Sequence, residues 1–165
     1  MWTILKFDRK SLATLKNDFS KILGKDFVFY IPKILVQKFK NKKLINKEFY
    51  LLGDYLFCFH TKFADKKVIN TLQYSKGLKY FVNGFFQSQL EIQSFIDKCK
   101  ESENKNGYLS QEFLDINIKS KFKFISGPFV NTIFKIIELQ IKKIKILIGN
   151  LKTTVNKKEF LFKPI

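Results

Sequence analysis

Apolar and polar residues alternate from Trp2 through Phe7, a period of two that predicts a β-strand with one face turned to a core. The period then changes. Leu12, Leu15, Phe19, Ile22 and Leu23 fall three or four apart and predict a helix over residues 11–23, with Ser11 as its N-cap and Gly24 as its stop. Residues 27–31 return to strand character and end at Pro32, which has no amide hydrogen to offer a ladder. Residues 38–47 are polar and rich in lysine, with Asn41 and Asn46 among them, and predict a hairpin tip. Two short strand-like runs flank Gly53 within residues 49–59, and Asp65 is placed to cap a second helix reaching Leu72. Strand character recurs over residues 78–86. Leu90, Ile92, Phe95, Ile96 and Cys99 then mark a third helix over residues 87–100.

The pattern breaks after that helix. The stretch KESENKNGYLSQ is polar and contains Asn-Gly, the marks of a linker. Beyond it, residues 122–164 hold several short strand-like runs separated by turn residues at Ser126-Gly127-Pro128, Gly149-Asn150 and Asn156, the spacing expected of a small barrel. Ile133, Ile137, Ile141, Ile144 and Ile148 also fall at helical spacing. Strand is the expectation here, because β-branched residues favour sheet and Gly149-Asn150 suits a hairpin turn. The fold class that follows is α+β: an antiparallel sheet with packed helices over residues 1–100, a linker over 101–117 and a small SH3-like barrel over 118–165.

Composition agrees with a folded chain: 45% hydrophobic and 16% aromatic residues are more than a disordered chain carries. The richest apolar run, residues 51–59, is interrupted by Gly53 and Asp54, so no membrane span is expected. The opening Met1-Trp2-Thr3, with Lys6 close behind, lacks the apolar core of a secretory signal, and a cytoplasmic protein is expected. The formal net charge of +17 points to a polyanionic partner. All but one of the basic residues are lysine, however, and Ile, Asn and Phe are also abundant, a combination that an AT-rich genome would also give, so codon bias stays open as a second reading of the charge. Cys58 and Cys99 are too far apart for a metal or redox motif, and His60 is the only histidine. No phosphate loop, nucleophile elbow or carboxylate pair is present. A non-enzymatic protein with no cofactor or metal is expected.

Several segments, taken in order, resemble the NusG family of transcription elongation factors. Trp2-Thr3-Ile4-Leu5 is similar to the family's opening strand, and Phe29-Tyr30-Ile31-Pro32 to its second, proline-ended strand. Leu52-Gly53-Asp54-Tyr55-Leu56-Phe57 falls on the family's Phe-Pro-Gly-Tyr-Val-Phe-like segment, and Lys76-Gly77-Leu78-Lys79-Tyr80-Phe81-Val82 on its Gly-Val-x-x-Phe-Val strand. Gly127-Pro128-Phe129 resembles the Gly-Pro-Phe of the C-terminal KOW domain. Two departures stand out. Gly53-Asp54 replaces a Pro-Gly pair, and the KOW glycine expected near Phe134 is missing. Such departures resemble a specialised, RfaH-like paralogue more than a housekeeping member.

The resemblance implies a monomer that binds RNA polymerase across its cleft, suppresses pausing and recruits the ribosome or a termination factor through the KOW domain. In the family an apolar depression receives the clamp helices of the polymerase β′ subunit. The matching positions are Leu52, Tyr55 and Phe57, with Phe7 and Phe81 as further lining, while Val68, Asn70 and Thr71 match the helix start that touches the β subunit. Alternation puts Tyr55 and Phe57 on one sheet face and Leu56 on the other, so part of this set must be core. Arg9, Lys10 and Lys76, together with Lys38, Lys40, Lys42 and Lys43 on the predicted hairpin, are the positions for DNA or RNA of the elongation complex. Lysines meet phosphates as point charges, and Phe39 among them is placed to stack on a base. A hairpin tip kept soluble by its charge stays open as the plainer reading. The alternative function is an RNA-binding protein of ribosome assembly or translation, since KOW-type barrels occur there too.

Overall fold

A computed structural model describes residues 1–113 and 121–165. Residues 114–117 of the expected linker and 118–120 of the expected barrel domain lie outside the described residues, as does the side chain of Lys38. The elements run β1 (Trp2–Phe7), α1 (Leu12–Leu23), β2 (Val28–Tyr30), β3 (Lys33–Lys40), β4 (Lys43–Tyr50), β5 (Tyr55–Phe59), α2 (Lys66–Leu72), β6 (Leu78–Phe81), α3 (Gln89–Glu101), β7 (Lys121–Phe124), β8 (Ile133–Leu139), β9 (Lys143–Ile148), β10 (Leu151–Asn156) and β11 (Phe162–Pro164). The class is α+β with antiparallel sheets. The chain divides into two compact units, one of Met1–Pro32 and Tyr50–Asp97, the other of Lys33–Phe49 and Lys98–Ile165.

The first unit is built on a four-stranded antiparallel sheet in the order β2-β5-β1-β6. Alternation along β1 sends Leu5 and Phe7 to one face, where they join Leu56 and Cys58 under Leu15, Phe19 and Leu23 of α1 and Leu72 of α2. Trp2 goes to the other face, where it packs with Phe57 beneath Phe85, Ile92 and Ile96 of α3 and the turn before it. Burial raises the Cys58 thiol pKa well above its ordinary value. Gly24, at φ +93°, ends α1, and Asp65 caps α2 by accepting from the Lys67 amide at 2.8 Å. Ser11 stands at the N-cap position of α1 but makes no side-chain cap hydrogen bond; its hydroxyl donates to Asp8 at 3.0 Å. The strand expected over residues 78–86 stops at Phe81, because Gly84 turns the chain at φ +86° and carries Phe85 into the α3 core.

In the second unit, β3 and β4 form a two-stranded ribbon. Its tip is narrower than the lysine-rich stretch suggests: only Asn41 and Lys42 turn, both with positive φ, as a two-residue hairpin turn requires. One ribbon edge is tied down, with the Gln37 amide donating to the Ile125 carbonyl at 2.7 Å and the Gly127 amide to the Gln37 side chain. The polar stretch after α3 is folded over residues 102–113. Asn104 accepts from the amides of Asn106 and Tyr108, the Leu109 amide donates to the Lys33 carbonyl at 2.7 Å, and the buried Gln111 accepts from the Phe162 amide at 2.8 Å.

The C-terminal sheet runs β10-β9-β8-β7-β11, and all five strands send residues into one core: Phe122, Phe124, Phe134, Ile136, Ile144, Ile146, Val155 and Phe162. The competing helical stripe fails at Ile141, which is 91% exposed at the turn between β8 and β9. Phe134, standing where a KOW glycine is expected, is 1% exposed and stacks on Phe124 with ring centroids 4.3 Å apart.

Candidate functional site

β1 pairs with β5 on one side and β6 on the other, and this register assembles a cluster that neither strand contains alone. Lys6 stands opposite Tyr55 and opposite Tyr80. It lies two residues beyond Ile4, on the face that α3 covers over Trp2 and Phe57. At the Lys6 row that cover has ended. Lys6 is half-buried between two tyrosine rings, its Nζ 5.4 Å from the Tyr55 centroid and 5.8 Å from that of Tyr80, and Tyr80 keeps 47% of its surface exposed. The two hydroxyls are 3.0 Å apart. That hydrogen bond, with help from Lys6, holds the Tyr55 phenol below its ordinary pKa, and the same bond raises that of Tyr80. The result is a wet, aromatic and cationic patch on the open end of a sheet face.

Beside it, the loop before β5 is fastened to β1. The Phe7 amide donates to the Asp54 carbonyl at 2.9 Å, and Arg9 Nε donates to the Asp54 carboxylate at 2.7 Å while its guanidinium lies 5.0 Å from the Tyr50 ring. Arg9, the one arginine, is therefore already engaged on the protein. Lys10 and Lys76 are exposed, and the Lys76 amide donates to Asp18 at 3.1 Å.

The residues matched to the polymerase cleft do not form one surface. Tyr55 is half-buried on the open end of the sheet face, Phe57 lies on the same face under α3, and Leu52 is half-buried against the Phe57 core. Phe7 and Phe81 belong to the opposite face: Phe7 is fully buried, and Phe81 is half-buried over Phe19 and Phe63. Val68 packs from α2 onto that same core, and Asn70 and Thr71 are exposed, with Thr71 Oγ1 donating to the Lys67 carbonyl at 3.0 Å. Lys6 and Tyr80 are not among the positions that the sequence singles out. Alternation from Trp2 places Lys6 on this face, but its partners are fixed only by cross-strand register.

On the ribbon of the second unit, Lys40 and Lys43 flank the turn and Lys42 lies in it, all three exposed, as is Phe39. Gly127, Pro128 and Phe129 make the turn between β7 and β8. Gly127 has φ +80°, and a Cβ there would stand 2.2 Å from the Phe160 ring. Phe129 packs edge-on to Phe160 and tilts against Phe124, so this motif fastens the C-terminal core. Among the described residues, no helix is long and apolar enough to cross a membrane.

No protein-family model matches the sequence, and no curated protein matches it. Among solved structures, the chain has distant likenesses. Two crystal structures of the MjSpt4:Spt5 complex, conformations B and A, align with 100% of this chain and 98% of theirs, at 12% and 11% identity and TM-scores of 0.34 and 0.32. NusG of Thermotoga maritima aligns over 94% of this chain and 91% of its own, at 15% identity and a TM-score of 0.31.

Proposed function

We propose that this chain is a NusG-like transcription elongation or antitermination factor that docks on RNA polymerase and acts without chemistry, by bridging the cleft around the nucleic acid. The ordered resemblance from Trp2 to Phe129 brings the family into view, and the uncovered Lys6–Tyr55–Tyr80 patch carries the reading. Aromatic side chains partly open to water at the end of a sheet face, beside a loop tied to β1 by an ion pair, suit a protein partner: interface anchors are enriched in tyrosine, and their loss costs more than about 1 kcal/mol. The docking set is centred on Tyr55, with Leu52 at its border. Val68, Asn70 and Thr71 on α2 form a second contact. Lys40, Lys42 and Lys43 on the ribbon, with Lys10 and Lys76, meet DNA or RNA. The turn Gly127-Pro128-Phe129 supports a KOW-like domain that recruits a further partner, the ribosome or a termination factor.

The test is co-purification of the full chain from cells. Wild type recovers polymerase subunits, and Tyr55→Glu recovers at least about fivefold less while its circular dichroism and melting point stay those of the wild type. Equal recovery by a folded Tyr55→Glu protein sinks the docking site. The exposed Lys40, Lys42 and Lys43 beside the exposed Phe39 on the ribbon also suit the other reading, an RNA-binding protein of ribosome assembly or translation; recovery of ribosomal RNA without polymerase subunits would establish it instead.

A further inference from the structure

The outer face of the C-terminal sheet carries lysines in a pattern that sheet stability alone disfavours. Along β7, β8, β9 and β11 the residues that alternate with the core point outward. Across the strands they fall into rows: Lys163–Lys123–Ile133, then Lys121–Lys135–Leu147–Lys152, then Glu138–Lys145–Thr154, then Lys143–Asn156. Rows on one face are about 7 Å apart along a strand and neighbouring strands about 4.8 Å apart, so the charges form a close lattice. Lys121 stands directly opposite Lys135, and Lys123 directly opposite Lys163. Like charges in directly opposed positions destabilise a sheet. Among the described residues, Lys145 is the one lysine of these rows in a salt bridge, with Glu138 at 3.7 Å. In the middle of the lattice lies a hollow of about 210 Å³ lined by Lys121, Lys135, Ile133, Leu147, Phe134 and Gly149.

We infer that this outer face is a binding surface for single-stranded nucleic acid, distinct from the ribbon lysines. Regularly spaced ammonium groups suit successive phosphates, and binding them removes the repulsion between Lys121 and Lys135. The apolar hollow between those lysines selects the form: it accepts an unpaired base, which a duplex keeps stacked inside. An acidic protein segment would use the same charges but would not need the hollow. The inference does not rest on docking to polymerase.

The experiment titrates the full chain with a single-stranded RNA 20-mer, the same sequence as single-stranded DNA, a DNA duplex and polyglutamate, each across a salt series. Both single strands are expected to bind more tightly than the duplex and polyglutamate. The variant Lys121→Gln/Lys135→Gln/Lys152→Gln is expected to lose more than about tenfold in single-strand affinity near 0.1 M salt, and its salt slope to fall by about two. Its melting point is expected to equal or exceed that of the wild type, because opposed charges have been removed, and the Arg triple variant is expected to restore the slope. Leu147→Ser is expected to weaken single-strand binding with the slope unchanged. An unchanged slope in the Gln variant overturns the proposal, as does weaker binding that comes with a lower melting point, or tighter binding of duplex or polyglutamate. Polymerase recovery by the Gln variant, measured in parallel, keeps this outcome separate from that of Tyr55→Glu.

Discussion

The four-stranded sheet of the first unit has helices on both faces, α1 and α2 on one and α3 on the other. The C-terminal sheet of the second unit closes one face on its own core and leaves the other in water. Charge follows this difference. The first unit has 11 basic and 7 acidic residues, a net +4, and the second has 20 and 7, a net +13. A sheet covered twice offers few positions where lysine is tolerated, while a sheet covered once offers every second residue. A high lysine content will therefore collect on the second unit whatever its cause. Net charge alone thus reports architecture before it reports binding, and what separates the two is placement: which lysines oppose one another, and which lie beside an aromatic ring or a hollow.

The comparison breaks most easily at the cores. Phe134→Gly, which gives the residue that the KOW resemblance expects, should cost at least about 3–5 kcal/mol by emptying a stacked aromatic site. Phe19→Ala should cost a similar amount in the first unit. If the units are thermodynamically separate, urea melts will show two transitions and each substitution will move only one; a single transition moved by both would join the units into one cooperative body. Limited proteolysis asks the same question of the backbone. The first cut is expected within residues 101–117, and an initial cut inside residues 1–100 would count against a boundary there.

Smaller effects sharpen the contrast in charge. Replacing Lys40, Lys42 and Lys43 by alanine should lower the salt slope of nucleic-acid binding by about one for each phosphate that is no longer neutralised, whatever the sequence bound. Parallel salt plots for wild type and variant would leave the ribbon charge as a matter of solubility. Asp54→Asn should change stability least, by less than about 1 kcal/mol, because the Arg9–Asp54 pair is substantially exposed. A larger drop in a thermal melt would mean that the loop before β5 depends on this ion pair more than its exposure indicates.

Much of the fold was legible because its periods are clean. The alternation of β1, the stripe of α1 and the Asp65 cap each have one local cause. The ribbon was harder: lysine density hid the alternation on both sides of Asn41-Lys42, and only the asparagine signals a positive φ. The isoleucines from Ile133 to Ile148 satisfied two periods at once, and tertiary packing decided between them by leaving Ile141 at a turn. The candidate site was legible only in part. Tyr55 could be singled out from its segment, but Lys6 and Tyr80 join it through pairings between strands far apart in the sequence, which no local pattern encodes. The rows of lysine on the C-terminal sheet were hidden for the same reason, since opposition is a property of register.

Both thiols of the molecule, Cys58 and Cys99, are buried. That gives the protein a practical chemical silence: a thiol-directed reagent finds nothing on the folded surface to attack. A cysteine introduced at an exposed position such as Tyr80 or Lys135 would be the lone accessible nucleophile of its kind, without prior removal of the native pair. A photo-crosslinker or fluorophore attached there would tag one face at a time, and the partners captured from each face could be read out separately in the same cell.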